Sequence, residues 1–469
     1  MANRDTGTHL QSSLKQRHMS MIALGGVIGA GLFVGSGVVV HAAGPAAVLS
    51  FLITGALVVL VMRMLGEMAC AMPAVGSFYE YARLAWNDKP VGGELAGFLT
   101  GWMYWYFWVI VVAVEAVAGA NLIQFWLPDI PAWAISLVLL VVLTLTNLVS
   151  VASYGEFEFW FASIKVAAIV VFLFLGGLFV FGMWPGAVAS TGHLLSHGGF
   201  MPNGIGPAMS GAVAATGFYF GAEIVTIAAA EAAEPQQAVA RATNSVIGRV
   251  LFFYIGSILL VVMLVPWNSA GMATPYVSAL EAMRIPAAAH IMNAVVLTAV
   301  LSALNSGLYA SSRMLFALTR RGDAPRSLAK LNSRGVPVRA ILIGTLFGYA
   351  AVVMSYVSPD TVFAFLVNSY GTVAIFVYVL IAFSQLKLRK RLERESPGKL
   401  KIRMWGYPYL TWVAIIGMLS IVGAMAFIPD QRTPLALGVV SLTVLLVAFT
   451  VRSIWRKLRS SDPEFDSPV

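Results

Sequence analysis

The sequence predicts an all-α integral membrane protein with twelve transmembrane helices, and three observations support this prediction. Apolar residues make up 59% of the 469 residues, whereas charged residues make up 11%. Runs of about 20 apolar residues, enough for a helix to cross a bilayer, recur from one end of the chain to the other. Basic residues are concentrated in alternate connections between these runs, which is typical of multi-pass membrane proteins. These observations exclude a soluble globular fold.

Short polar connections that contain Gly or Pro separate the predicted spans. The twelve spans cover residues 19–40, 46–71, 95–126, 132–150, 158–182, 207–230, 244–265, 289–318, 338–357, 361–385, 405–428 and 433–455. The first run is long and lacks a small-residue cleavage pattern, so we expect no cleavable signal peptide.

The distribution of Lys and Arg predicts the orientation of the spans. If the N-terminus is cytoplasmic, the outer loops contain just Arg284 and Arg432 of the 30 basic residues, and segments 320–339 and 386–403 become basic inner loops. The positive-inside rule then places the tails, residues 1–18 and 456–469, in the cytoplasm and the chain in the cell inner membrane. Because topology explains the net charge of +9, we expect membrane lipids as neighbours, and neither nucleic acid nor an obligatory protein partner.

The first ten spans form two units of five. Spans 1 to 5, residues 19–182, correspond to spans 6 to 10, residues 207–385, in length and in the position of helix breaks. Because five is an odd number, the second unit must enter the membrane from the opposite side, which predicts an inverted repeat. Spans 11 and 12, residues 405–455, lie outside this symmetry.

Glycine clusters mark the first span of each unit. Span 1 contains "GGVIGAGLFVGSG" (25–37), and span 6 contains "TGFYFGAE" (216–223). Close packing of helices is the alternative explanation for such glycines. Matched clusters in corresponding spans favour unwound segments near the membrane midplane, where transporters with inverted repeats bind their substrates.

Such breaks suit a zwitterionic substrate. Backbone N–H groups at the start of a half-helix can hold a carboxylate, and carbonyls at a broken end can hold an ammonium group. The aromatic rings between Gly217 and Gly221 can cover the substrate and attract its ammonium group. The predicted substrate-binding residues are Ile28, Gly29, Ala30, Gly31, Phe218, Tyr219, Phe220, Gly221 and Glu223.

Two charged residues inside spans are candidates for proton coupling. Lys165 lies in span 5 and Glu115 in the middle of span 3, where an unpaired charge is costly. Snorkelling of the lysine toward the membrane surface is one alternative, and a structural hydrogen bond to unwound backbone is the alternative for the glutamate. For Glu223 the choice is between the substrate ammonium group and capping of backbone N–H groups.

Span 8 carries small polar residues that would face the pocket or pack between helices. They are Ser302, Asn305, Ser306 and Tyr309. His193 and His197 lie in a predicted outer loop without further ligands in sequence, so we expect no metal site and no cofactor.

Several segments together resemble the bacterial amino acid transporter family of the amino acid, polyamine and organocation superfamily. They are "KQRHMSMIALGGVIGAGLFVGSG", "GEFEFWFASIK", "GGFMPNG", "GAEIVTIAAAE" and "SRMLFALTRRGDAP". Within that family, "GAEIVTIAAAE" (221–231), "RATNSVIGR" (241–249) and "RMWGYPYLTW" (403–412) look most like 4-aminobutyrate (GABA) permeases.

The resemblance implies a LeuT-type fold and uptake driven by a proton gradient. Proton-coupled members place a lysine of helix 5 where sodium-coupled relatives bind a cation, and Lys165 matches that lysine. The resemblance also implies that Glu115 lines the substrate route. One position departs from the family pattern, because Gly217 replaces the first aromatic residue at the break of span 6.

The expected function is therefore proton-coupled import of GABA and related ω-amino acids by alternating access. A permease for an α-amino acid, such as proline or an aromatic one, is the alternative. An enzyme is not expected, because the spans lack a clustered nucleophile and base, a His-rich metal set and a Gly-rich phosphate loop. Paired broken helices also argue against a channel, which needs a continuous pore lined by rings of like groups.

Overall fold

The structure is a computed structural model that describes residues 14–29, 31–74, 76–88, 90–184, 192–232, 234–357 and 359–460. These residues form helices and connecting loops, with one isolated backbone bridge between Leu14 and Ala232. Nine helices within these ranges are long and apolar enough to cross a membrane. The chain is thus an all-helical multi-pass membrane protein, whereas the count of twelve spans stays a prediction.

The first predicted unit begins with a broken helix. Its helices are α1 (Gln16–Gly25), a π-helical turn (Gly31–Gly35), α2 (Ser36–Ala43), α3 (Ala47–Ala71), α4 (Phe78–Ala85), α5 (Pro90–Gln124), α6 (Ala132–Val149) and α7 (Val151–Val180). Helix α7 starts seven residues before the predicted span, because the hydroxyl of Ser150 accepts a hydrogen bond from the Ser153 N–H and caps the helix.

The second predicted unit also begins with a broken helix. Its helices are α8 (Ile205–Tyr219), α9 (Ile224–Ala228), α10 (Pro235–Leu264), α11 (Pro275–Ala282), α12 (Ala288–Arg320), α13 (Val338–Val357) and α14 (Pro359–Glu395), followed by α15 (Tyr409–Phe427) and α16 (Pro429–Ser460). The start of the predicted inner loop 386–403 is helical as part of α14. Pairs Arg389–Glu393 and Arg391–Glu395, each one turn apart, support this polar extension.

The breaks and α5, α7 and α12 form the centre of the molecule. Helix α5 packs along α12, α1 packs against α7, and α3 packs against α8 and α10. By contrast, α6 and α16 expose apolar side chains such as Val138 and Val447, as expected of helices that face lipid. Lys165 of α7 and Ser302 of α12 are fully buried in this centre, away from the lipid-facing surface.

Ion pairs join three elements on the predicted cytoplasmic side. The fully buried Asp323 carboxylate, just after α12, accepts hydrogen bonds from Tyr79 and Arg83 of α4 and from Arg452 of α16. Arg321 makes two hydrogen bonds to Glu80, and these raise the pKa of its guanidinium above the usual value. These contacts tie α4, the end of α12 and α16 together.

Candidate functional site

A cavity of about 640 Å³ opens where the two broken spans meet. Gly26, Gly29 and Gly31 line it from the first break, and Gly217, Phe218 and Phe220 line it from the second. Apolar side chains of α2, α5 and α12 form most of the remaining wall, and Glu115 is the acidic group in it. The cavity therefore combines exposed backbone, aromatic rings and one carboxylate.

The two breaks touch each other through glycine backbones. A Cβ atom built on Gly26 would lie 2.5 Å from the Gly221 carbonyl oxygen, and one built on Gly221 would overlap the Gly26 carbonyl. Gly221 also has a φ of +123°, which side-chain-bearing residues rarely adopt. Glycine is thus required at both positions, and the unwound segments of the two units lie in direct contact.

The predicted substrate-binding residues of the first break have different positions. Gly29 and Gly31 line the cavity, whereas Ile28 is fully buried outside its wall. The Ile28 carbonyl oxygen instead accepts a hydrogen bond from Lys165. Ala30 lies outside the described residues.

Lys165 is fully buried and reaches three acceptors. Its ammonium group donates to the carbonyl oxygen of Gly25, to that of Ile28 at 2.6 Å and to the hydroxyl of Ser302 at 2.9 Å. An ammonium group has three N–H donors, so all of them are satisfied inside the protein. Lys165 therefore does not snorkel to a membrane surface; it joins α7 to the first break and to α12.

Glu158 also belongs to this cluster and was not among the predicted site residues. It is fully buried on α7, and its Oε1 accepts a 2.6 Å hydrogen bond from Ser302. Two signals in the sequence point to it: it is an acidic residue at the start of an apolar span, and it precedes Lys165 by two helical turns, which places both on one face.

Glu115 lies at the cavity wall close to the same cluster. Its Oε2 atom is buried and has no hydrogen-bond partner among the described residues. The side chain is near enough to Lys165 for direct electrostatic attraction. Glu115 is thus the one predicted coupling residue that also faces the cavity.

Glu223 holds the second break in place rather than lining the cavity. Its Oε2 accepts hydrogen bonds of 3.0 Å from the Gly221 N–H and from the Tyr378 hydroxyl. Its Oε1 accepts a 3.2 Å hydrogen bond from the Tyr104 hydroxyl. Of the two roles considered for Glu223, the geometry therefore favours capping of backbone N–H groups.

The three aromatic residues at the second break divide into two groups. The rings of Phe218 and Phe220 reach the cavity. The Phe218 ring occupies the space next to Gly31 and Gly35, where a Cβ atom would come within 2.5 Å of it. Tyr219 is fully buried and donates to the Phe51 carbonyl, so it braces α8 and does not cover the cavity.

The four polar residues of α12 do not line the cavity, because Val296, Val300 and Ala303 form that part of the wall. Ser302 instead connects Lys165 and Glu158. The remaining three are buried in packing contacts: Asn305 accepts from Asn147, Tyr309 donates to Glu231, and Ser306 lies beside Glu158.

Comparisons with known proteins find relatives over nearly the whole chain. A profile of the amino acid permease family matches residues 18–463. The chain is 52% identical to the gamma-aminobutyric acid permease of Bacillus subtilis, with 98% of this chain and 97% of the relative covered. It is 45% identical to the gamma-aminobutyric acid permease of Escherichia coli K12, with 96% and 97% covered.

A more distant relative matches over nearly the whole length, and a solved structure shares the fold. An aromatic amino acid transport protein of Corynebacterium glutamicum is 40% identical, with 97% of each chain covered. The crystal structure of a manganese transporter from Eremococcus coleocola superimposes with a TM-score of 0.57 at 12% identity, over 98% of this chain and 99% of that one. At this identity the superposition supports the fold alone. The match over nearly the whole length, together with the close relatives, establishes that the chain belongs to the amino acid permease family.

Proposed function

We propose that the protein is a proton-coupled symporter that imports GABA and related ω-amino acids across the cell inner membrane by alternating access. The observation that carries this proposal is the cavity into which both helix breaks open, with a carboxylate in its wall and a buried lysine beside the first break. The permeases of Bacillus subtilis and Escherichia coli named for gamma-aminobutyric acid support the choice of substrate.

The proposed architecture is the LeuT-type fold with twelve spans, an inverted repeat of five plus five, and cytoplasmic termini. Two broken spans in corresponding positions, α1 with α2 and α8 with α9, support it. The cavity is proposed to lie in the outer half of the membrane; its lining residues Val38, Asn121 and Pro434, each toward an outer end of a predicted span, support this. The ion pairs of Asp323 would then close the inner side.

Substrate recognition is proposed to separate the two charged ends of the ligand. The backbone at Gly29 and Gly31, with Ala30 between them, receives the carboxylate. The π-helical turn that starts at Gly31 supplies the positive end of a helix dipole. The substrate ammonium group is attracted by the Glu115 carboxylate and by the faces of Phe218 and Phe220. The apolar wall between them suits the methylene chain of an ω-amino acid.

Proton coupling is proposed to centre on Lys165. With its proton, the ammonium group binds two carbonyls of the first break and stabilises the contact between α7 and α1. Without it, the neutral amine is a weaker donor, so this contact loosens and the carrier can open inward. The proton is thereby taken up from outside and released inside together with the substrate.

A permease for an α-amino acid is the second candidate. The 40% identity with the aromatic amino acid transport protein of Corynebacterium glutamicum favours it. An α-amino acid needs its ammonium group next to its carboxylate, near the first break, whereas GABA separates the two groups by three methylenes. The two candidates therefore differ in whether the chain between the charged groups is required.

Uptake of a radiolabelled amino acid panel into liposomes containing the purified protein tests the proposal. We expect saturable GABA uptake that rises when the outside is made acidic and that unlabelled GABA on the opposite side accelerates. Stronger competition by proline or phenylalanine than by GABA would refute the substrate assignment. Accumulation that ignores the pH gradient would refute proton coupling.

A further inference from the structure

Two consecutive hydrogen bonds connect a buried amine to a buried carboxylate. Lys165 Nζ donates to Ser302 Oγ at 2.9 Å, and Ser302 Oγ donates to Glu158 Oε1 at 2.6 Å. All three residues have no exposed surface. A hydroxyl that accepts one hydrogen bond and donates another can pass a proton along the line, so the geometry is that of a proton relay.

The far side of the carboxylate is polar and not saturated. Glu158 Oε2, Asn305 Nδ2, Ser306 Oγ and Tyr154 Oη are buried and have no hydrogen-bond partner among the described residues. Asn305 and Ser306 lie beside the Glu158 carboxylate, and Tyr154 lies beside Ser306. Buried polar groups are normally paired. The Ser306 and Tyr154 hydroxyl oxygens can each accept a hydrogen bond, and Asn305 Nδ2 can donate one to Glu158, so the cluster can adapt to either form of the carboxyl group.

Lys165 is the positive charge that compensates Glu158, because the other charged groups nearby have partners of their own or are negative. From α5, Glu115 faces Lys165. On α12, Arg313 forms a buried ion pair with Glu231. At the start of α7, Glu156 pairs with Arg17 and His18 of the first broken span. No other charge compensates Glu158 among the residues in contact with it in the described ranges.

We propose that Glu158 is the internal acceptor of the proton carried by Lys165, and that Ser302 relays it; this inference rests on the proposed proton-coupled function. In the step, one ammonium N–H bond breaks as its proton passes to Ser302 Oγ. At the same time the Ser302 O–H bond breaks and that proton passes to Glu158 Oε1. The products are a neutral amine and a neutral carboxylic acid, so proton count and charge balance without another reactant.

The transfer has a mechanical effect at the first break. Neutral Lys165 holds the carbonyls of Gly25 and Ile28 more weakly than the ammonium group does. Neutral Glu158 then carries the proton on Oε1, outside the cavity wall. In this relay, Lys165 releases the proton and Glu158 receives it.

The test compares two kinds of transport in liposomes. In exchange of labelled for unlabelled GABA, the carrier crosses in both directions with substrate bound, and Lys165 can keep its proton. Gradient-driven uptake requires Lys165 to lose its proton on the inside. We expect Ser302→Ala and Glu158→Gln to lower the gradient-driven rate about 100-fold relative to exchange, the size of a lost proton-transfer group. A pH-sensitive dye inside the liposomes should show a matching loss of protons moved per GABA.

Ser311→Ala is the matched control, because Ser311 lies on the same helix and its hydroxyl bonds only to the Leu308 carbonyl among the described residues. It should keep the parental ratio of gradient-driven uptake to exchange. The relay is wrong if Ser302→Ala and Glu158→Gln keep that ratio, or if both activities fall equally. Absence of GABA exchange by the parental protein would instead refute the proposed function.

Discussion

At the scale of single residues, the three partners of Lys165 decide how its charge is held. Burying an ammonium ion costs several kcal/mol unless its donors are satisfied, and here two carbonyls and one hydroxyl satisfy them. The sequence singled out Lys165 because an ammonium group inside an apolar span is costly, and it singled out Ser302 as a small polar residue of span 8. It did not predict the Ile28 carbonyl, because the direction of a carbonyl in a break depends on backbone angles.

We predict that Lys165→Ala loses GABA accumulation driven by a pH gradient. Without the ammonium group, nothing couples protonation to the contact between α7 and the first break. Added sodium should not restore accumulation, because the acceptors of the ammonium group within the described ranges are two carbonyls and one hydroxyl, without a carboxylate. The measurement is concentrative uptake in liposomes under an imposed pH gradient.

Lys330→Ala removes an exposed lysine from the segment after α12 and should leave accumulation unchanged. Accumulation by Lys165→Ala at the parental rate and extent would exclude Lys165 from the mechanism. Glu115 would then be the remaining candidate.

A second prediction concerns Gly31 and Gly29. In Gly31→Val the new Cβ collides with the Phe218 ring, and overpacking of about 1–3 kcal/mol should raise the GABA Kd about 5- to 150-fold. Gly29 has no atom within 4 Å of a built Cβ, so Gly29→Ala should weaken binding solely by taking cavity space. Binding of labelled GABA to purified protein gives both values.

Gly177→Ala is the control for these variants, since its Cβ also meets nothing within 4 Å and Gly177 lies on α7 away from the cavity. It should bind GABA like the parent. Parental affinity in Gly31→Val would show that the Phe218 ring does not shape the site.

At the scale of helices, the glycine clusters predicted the positions of both breaks. Hydropathy and charge, by contrast, predicted the wrong end for α14. Segments 25–37 and 216–223 contain the interruptions between α1 and α2 and between α8 and α9. The polar end of α14 was assigned to a loop, because hydropathy marks the membrane and not the end of a helix. Neither role of Glu223 could be chosen from the sequence, since its partners Tyr104 and Tyr378 lie far away in the chain.

We predict that Tyr378→Phe destabilises the second break. The variant removes a donor to the buried Glu223 carboxylate, and a hydrogen bond to a charged group contributes about 1.5–3 kcal/mol. The melting temperature in detergent should fall, and the GABA Kd should rise because Phe220 is displaced with the loop. Tyr104→Phe should act in the same direction.

Tyr106→Phe is the matched control, because Tyr106 shares α5 with Tyr104 and no hydrogen bond of its hydroxyl is seen within the described ranges. It should melt and bind like the parent. Parental stability and affinity in both Tyr378→Phe and Tyr104→Phe would show that Glu223 does not anchor the break.

At the scale of the whole molecule, the cavity and the ion pairs of Asp323 lie toward opposite ends of the helices. Hydropathy and basic residues predicted which helices cross the membrane and in which direction. They did not predict which side is open, because that depends on contacts between distant segments, such as those of Arg83 and Arg452 with Asp323. The open side is therefore a matter for measurement.

We predict that Val38→Cys, in a chain whose single Cys70 is replaced by Ala, reacts with a membrane-impermeant maleimide added outside cells. Val38 is 72% exposed and lines the cavity, so saturating GABA should slow the reaction. Val171→Cys is the control, because Val171 is exposed on α7 outside the cavity wall and should be covered by lipid. Labelling of Val38→Cys from the cytoplasmic side alone would reverse the proposed orientation.

The glycine contact between the two breaks limits which second mutations can rescue a first. A side chain at Gly26 meets the backbone of Gly221, and a side chain at Gly221 meets the backbone of Gly26. Residue 221 is already the smallest possible, so no replacement there makes room for Gly26→Ala. Selection for restored growth on GABA should therefore return reversions at codon 26, or changes that reposition a whole helix, and no exchange of size between the two positions.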